Sequence, residues 1–261
     1  MDATRPPLNA SVLPSEFWTT LEVREVTGST NADVAAAARA GAPEGLVVAA
    51  ESQDAGRGRI GRQWVSPSRA GLTFSVLLRP EGVPTPRWGW LPLLAGVALA
   101  RAVTTVAGVD AWLKWPNDLL IGGKKSAGLL AEAVGDAVVI GIGLNVTLGA
   151  ADLPRPDTTS LALAGATQLD RNILLPAILD ALSADYLAWR ACGGDPEGSG
   201  LLAAYRARCD TLGREVRVEV PAGDPLVGKA VDVDAAGRLV VETPTGPTAV
   251  AAGDVIHVRP V

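Results

Sequence analysis

The chain is poor in the residues that most enzymes use for covalent or metal chemistry. Its 261 residues include 2 cysteines, 1 histidine and 1 methionine. Cys192 and Cys209 are too few for a disulfide framework or a cysteine-type metal cluster. A single histidine, His257 near the C-terminus, argues against a zinc site and against histidine-based catalysis. Phenylalanine and tyrosine number 2 each, so the aromatic content rests on 7 tryptophans. A basic surplus is missing as well. The net charge of −5 argues against a dedicated nucleic-acid binder, though not against a local basic site. No apolar run follows a basic stretch within residues 1–15, so no signal peptide is expected. The most apolar window, residues 91–109, contains Pro92 and Arg101 and reads as a core helix rather than a membrane span. A cytoplasmic protein is the expectation.

What is present is a globular composition, 48% apolar and 20% charged, long enough for one large domain with a small appendage. Residues 21–26 alternate like a strand. Thr30 and Asn31 are good N-caps for an alanine-rich helix over 32–40. Residues 45–51 and 72–79 read as partner strands, 87–107 as a long helix, and 111–115 as a short strand ended by Pro116. Residues 119–121 and 126–134 form a hairpin across Gly122-Gly123, followed by a strand over 138–146. Residues 150–160 are a loop; 171–190 and 200–208 are helices. After Cys209 the pattern changes to short strands over 214–220, 227–233, 238–242 and 248–252, which predicts a small β-barrel. The expected division is 1–209 and 210–261.

The most informative stretch runs from Glu51 to Trp64. Arg57, Arg59 and Arg62 alternate there with Gly56, Gly58 and Gly61. Glycine lets backbone N–H groups approach a ligand, and arginine supplies planar charged forks for carboxylate or phosphate oxygens. The glycines match a dinucleotide-binding spacing, but they lead into a segment with Pro67 and Gly71 rather than opening a helix after a strand. Gly122-Gly123-Lys124-Lys125-Ser126 likewise fails the phosphate-loop pattern, since Lys124 is followed by a second lysine. Of the 23 basic residues only Lys114, Lys124, Lys125 and Lys229 are lysines, and three of those four fall within one short stretch that would need a compact ammonium. Ser29-Thr30-Asn31 can either fix a polar head group at a helix start or simply cap the helix. Asp118, after Lys114-Trp115-Pro116-Asn117, can hold Mg²⁺ or an amine, or close a turn. The glycines of Gly141-Ile142-Gly143-Leu144-Asn145 mark a strand that something approaches closely.

Taken together, the segments GSTN, GRGRxGRxW, KWPND, KSAG and GIGLNV resemble those of biotin–protein ligases, in order, from Thr27 to the C-terminus. The spacing is most similar to the short, actinobacterial-type enzymes. The resemblance implies an α+β fold: a catalytic domain similar to class II aminoacyl-tRNA synthetases, with a mixed sheet and helices, plus a C-terminal SH3-like barrel. It implies that Ser29, Thr30, Asn31 and Gln53 contact the biotin head. Arg57, Gly58 and Arg59 would fold over the biotin tail and the mixed anhydride. Lys125 would lie near the biotin carboxylate and adenylate phosphate, Asn145 would lie beside the nucleotide, and Arg62 would join Arg57 and Arg59 in nucleotide binding. Lys125 is favoured over Lys124 because it directly precedes the Ser-Ala-Gly run.

The implied substrates are biotin and ATP, with Mg²⁺ carried by ATP rather than by a protein metal site. The implied partner is the biotin carboxyl carrier domain of an acyl-CoA carboxylase. Joining a carboxylate to an α-phosphate brings two anions together, which calls for cations and positioning rather than a covalent nucleophile. Arg59 and Lys125 are the catalytic candidates on that logic, with Asp118 to orient the attacking carrier lysine. Trp64, Trp88, Trp90, Trp112 and Trp115 can wall the biotin or pack the core. The short, proline-rich segment before the first strand predicts no specific DNA partner, and no membrane is expected. Oligomeric state is open. Two alternatives remain at this stage: a lipoate-type ligase, and a non-catalytic biotin sensor.

Overall fold

The structure, a computed structural model, describes residues 5–13, 15–220, 224–251 and 253–257. It is a mixed α+β fold built on two sheets. β1 (Thr20–Thr27) and β2 (Leu46–Gln53) are parallel, joined by the crossover helix α1 (Thr30–Arg39). Then follow β3 (Gly71–Leu78), α2 (Leu91–Ala102), β4 (Ala111–Lys114), β5 (Asp118–Ile121), β6 (Lys124–Val134) and β7 (Ala137–Asn145). The order across the large sheet is β1-β2-β3-β7-β6-β5-β4, antiparallel from β2 onward. Helices α3 (Arg171–Ala191) and α4 (Leu201–Arg208) lead to a five-stranded antiparallel sheet. Its strands are β8 (Glu215–Glu219), β9 (Leu226–Val233), β10 (Leu239–Thr243), β11 (Gly246–Val250) and β12 (Asp254–His257), in the order β11-β10-β9-β8-β12.

Strand periodicity explains how the large sheet is covered. Side chains two apart share a face. On one face α1 packs Val34, Ala35 and Ala38 against Leu46, Val48, Leu77 and Val139. On the other, Phe74, Val76, Ile140 and Ile142 join Leu94, Leu99, Leu175 and Leu179 of α2 and α3 in the main core. The stretch Thr85–Ala107 is long and apolar enough by composition to cross a membrane, yet 72% of its apolar window is buried within the protein. It is a core element. Glu51 and Arg171 form a fully buried ion pair at 2.5 Å, and Glu51 Oε1 also accepts from Leu8 N at 2.6 Å. These bonds tie the amino-terminal segment to the start of α3 and satisfy charges that would be costly alone.

Several sequence expectations need adjustment. The cap of α1 is Ser29, whose side chain accepts from Ala32 N; Thr30 and Asn31 are already helical, so their side chains are free for other partners. The long helix is a tight turn at Thr85–Trp90, an α-helix at Leu91–Ala102 and a wide last turn at Val103–Ala107. Proline at 92 suits the first turn of the α-helical part. The strand over 254–257 has no counterpart in the reading above, being too short to show periodicity. Ala252, placed in a strand by that reading, lies outside the described residues, as do residues 1–4.

Tryptophans join the sheets. Trp90 and Trp115 are buried, and their indole N–H groups donate to the carbonyls of Ala235 and Gly237 at 2.8 and 3.1 Å. His257 sits at the same junction, with Nε2 3.2 Å from Thr211 Oγ1. Thr211 Oγ1 in turn accepts from Trp115 N. Burial, reinforced by Lys114, pushes His257 down to about 4 from 6.5. A histidine that binds its proton more weakly when folded leaves stability intact above its ordinary pKa and erodes it as pH falls toward the folded value. Thermal midpoints followed from pH 7 to pH 4.5 should therefore fall less in His257→Gln than in wild type. Equal slopes would contradict this role.

Candidate active site

A cavity of about 430 Å³ opens on the α1 face of the large sheet, beyond the N-terminus of α1. Ser29, Thr30, Asn31, Gln53, Arg57, Gly58, Arg59, Arg62, Asp118, Lys125 and Asn145 all line it. Its size falls within the usual range for small-molecule sites.

On the cavity face β7 carries glycines where other side chains of the protein come against the sheet. Ala137 and Val139 lie under α1, and the next residues on that face are Gly141 and Gly143. A Cβ on Gly141 would sit 2.0 Å from Asn31 Oδ1, and one on Gly143 would sit 2.3 Å from the indole of Trp64. These glycines admit side chains of the protein itself, Asn31 and Trp64, against the strand backbone.

The lysine is aimed by a bulge. β5 and β6 pair Leu119 with Ala127 but Leu120 with Lys125, leaving Ser126 as the extra residue. Strict alternation would place Lys125 and Gly128 on opposite faces. The bulge brings them together, and a Cβ on Gly128 would meet Lys125 Nζ at 3.2 Å. Lys125 Nζ pairs with Asp118 Oδ1 at 2.6 Å inside the cavity. Lys124 is exposed, and Lys114 lies toward His257 at the junction of the sheets. Of the clustered lysines, therefore, only Lys125 faces the cavity. The backbone of Lys125 also bonds Asp157 O and Thr159 N, which brings the loop after β7, with Pro154, Arg155 and Thr158, to the cavity wall.

The arginine–glycine loop folds across the opening. Its stem is closed by a bridge between Arg57 and Gln63, and Gly58 N donates to Arg62 O at 2.6 Å. Arg59 donates to Asn117 Oδ1 at 3.0 Å and to Gly253 O at 3.3 Å. Asn117 is oriented for this, since its Nδ2 donates to Leu129 O. Burial draws the Arg59 guanidinium below its ordinary value, against the opposing pull of Asp254 and Asp118. Arg62 pairs with Asp254 of β12, and that hydrogen bond raises its pKa. The Arg57 side chain has no hydrogen-bond or ion-pair partner among the described residues. Asn145 lines the cavity, and its Nδ2 donates to Thr159 O at 2.9 Å.

Of the five tryptophans considered, only Trp64 lines the cavity. Trp90 and Trp115 are core, Trp88 donates to Val83 O, and Trp112 points outward beside Arg208. Asn117, Arg155 and Asp254 are lining residues that sequence reasoning missed. Asn117 stood inside a motif already singled out, whereas nothing local marks the other two.

A model of the biotin/lipoate A/B protein ligase family matches residues 23–145, and one of the biotin protein ligase C-terminal domain matches residues 211–258. The chain is 43% identical to the biotin–[acetyl-CoA-carboxylase] ligase of Mycobacterium tuberculosis, over 99% of this chain and 98% of that protein. The chain belongs to the biotin protein ligase family. A second member, the biotin–[acetyl-CoA-carboxylase] ligase of Paracoccus denitrificans, is 31% identical over 88% of this chain and 97% of its own length. Among solved structures, the biotin protein ligase of Aquifex aeolicus in complex with biotin and ATP superposes with a TM-score of 0.76. It is 26% identical and covers 93% of this chain and 100% of that one.

For this ligase-family chain, the contact between the loop and β12 gives a direct test. Arg62 and Asp254 are both partly exposed, so the pair adds little to global stability. Asp254→Ala should leave the thermal midpoint within about 2 °C while trypsin cuts after Arg57, Arg59 or Arg62 several-fold faster. Unchanged cutting would show that β12 does not hold the loop.

Proposed function

We propose that this chain attaches biotin to a carrier protein in two steps. Biotin is activated by ATP to biotinyl-5′-AMP with release of pyrophosphate. The biotinyl group then passes to a lysine of a carboxylase biotin carrier domain. The observation that carries the reading is one cavity with two chemically different ends. Thr30 and Gln53, at the β2 side of the sheet, offer neutral hydrogen-bonding groups, and Lys125 of β6 with Arg59, bonded to Asn117 just before β5, stand at the other side. A ureido ring needs the first, and two anions that must meet need the second.

In the first step a biotin carboxylate oxygen attacks the α-phosphorus and pyrophosphate leaves. Lys125, held by Asp118, supplies a fixed ammonium where the two anions converge. Arg59, supported by Asn117, covers the phosphate and tail, with Gly58 letting the loop backbone come close. Arg57 and Arg62 add charge toward the nucleotide, and Asn145 lies beside it. Trp64 gives a flat face against Gly143 on which a ring can lie. Ser29 shapes the head-group end as the cap of α1.

Mg²⁺ would neutralise phosphate charge. In this reading the ion arrives with ATP. In the second step the deprotonated carrier amine attacks the acyl carbon and AMP leaves, with Asp118 to orient the amine.

We read the large sheet and its helices as a class II synthetase-like catalytic domain ending at residue 209, and the five-stranded sheet as an SH3-like barrel. The short antiparallel strands after Cys209 support this. The lipoate-type alternative is disfavoured by the relatives above, which carry the biotin name. Retention of every loop arginine and of Lys125 disfavours a non-catalytic sensor.

Incubating the protein with biotin, ATP, Mg²⁺ and an apo carrier domain should raise the carrier's mass by one biotinyl group. An unchanged carrier, or one that gains a lipoyl group instead when lipoate is supplied alongside biotin, would overturn the reading. Lys125→Ala should slow pyrophosphate release by about 10²–10³, the effect of removing ~2.7–4 kcal/mol of transition-state stabilisation. A rate within a few-fold of wild type would move the role elsewhere.

A further inference from the structure

Thr30 and Asn31 line the cavity; Ser75 of β3 is buried behind them, and Glu132 of β6 lines the adjoining groove beside Arg57 and Arg59 rather than the cavity itself. Together the four form a hydrogen-bonded chain whose direction can be worked out atom by atom. Asn31 Nδ2 lies 2.7 Å from Glu132 Oε2 and 3.3 Å from Leu130 O. A carboxylate and a carbonyl both accept, so this end of the amide must be the NH₂ group. Asn31 Oδ1 therefore faces Ser75 Oγ, 2.6 Å away, and the serine hydroxyl donates to it. Ser75 has one hydrogen and has used it. Its 2.7 Å contact with Thr30 Oγ1 is then a bond donated by threonine.

Gln53 is fixed independently. Thr30 N–H donates to Gln53 Oε1 at 2.8 Å, so that oxygen faces Thr30 and lies 3.2 Å from its hydroxyl, a longer rival for the same hydrogen. Thr30 Oγ1 thus reaches the cavity with a lone pair and no hydrogen to give. Asn31, for its part, has both ends of its amide engaged inside the protein. Gly141 leaves the room for that arrangement.

We propose that Glu132 and Ser75 are positioning residues for head-group recognition. Through Asn31 they set the polarity of this chain so that Thr30 Oγ1 meets a ureido N–H as an acceptor. The proposal rests on the reading of the cavity as a biotin site. Reversing or loosening the chain would release the threonine hydrogen from Ser75 to rotate between Gln53 Oε1 and the ligand's own N–H, so that Thr30 Oγ1 is no longer held as an acceptor.

The test is steady-state kinetics of carrier biotinylation by wild type, Ser75→Ala, Glu132→Ala and Glu132→Gln, with thermal midpoints to confirm folding. Ser75→Ala and Glu132→Ala should raise the KM for biotin roughly tenfold, as expected for a lost bond with an unsatisfied partner. The KM for ATP should stay within about twofold. Glu132→Gln keeps an oxygen that can accept from Asn31, so its KM for biotin should stay within about threefold of wild type. Should Ser75→Ala fail to fold, Ser75→Cys keeps the volume with a weaker hydrogen-bonding group and should show the same selective rise. Folded variants with an unchanged KM for biotin would overturn the proposal, as would Glu132→Gln behaving like Glu132→Ala or equal rises for biotin and ATP. A wild type that does not saturate with biotin would overturn the underlying site reading, and this proposal with it.

Discussion

The site depends on one irregularity in the sheet, the bulge at Ser126. Without it Lys125 would alternate away from Gly128 and toward the helix-covered core, where an ammonium has no place. With it, Lys125 reaches Asp118 across the strand pair, and the pair stands at the cavity wall. The carboxylate keeps the ammonium placed before any ligand arrives. Positioning of this kind matters most where charge develops, because a preorganised cation need not reorganise during the reaction.

Around that fixed pair the rest of the site is assembled from parts far apart in sequence. The glycines of β7 admit Asn31 and Trp64 against the sheet, the start of α1 supplies polar groups, and the loop after β2 crosses the opening. The loop is itself held at two points, by Asn117 beside the cavity and by β12 of the second sheet through Gly253 and Asp254. A loop with three arginines repels itself unless negative groups compensate it. Asp254 supplies one such group in the structure, and in the proposed reaction the phosphates of the adenylate would supply others. On this view the second sheet completes the anion-binding end.

Much of this was legible in the sequence, for a physical reason. Residues that meet one ligand through backbone approach or charge occur as short runs, and such runs are visible as motifs. The strands of the large sheet were legible from alternation, and α1 from its alanines. What escaped reading is non-local. No spacing rule reveals that Asp254 meets Arg62, or that Arg155 is carried to the cavity by pairing of its loop with Lys125. The choice between Lys124 and Lys125 turned on a bulge, which sequence periodicity does not encode. Of the tryptophans, Trp90 and Trp115 proved to hold the two sheets together through carbonyls of a turn in the second. The role of Ser75 and Glu132 is likewise invisible without coordinates, since both look like ordinary strand residues.

The central claim is that the cavity unites biotin and ATP to form an acyl-adenylate before any carrier is engaged. Isotope exchange between pyrophosphate and ATP, measured without carrier protein, tests it most directly. The account predicts exchange that requires biotin and saturates with it. Exchange that proceeds equally without biotin, or that appears only when the carrier is added, would contradict it.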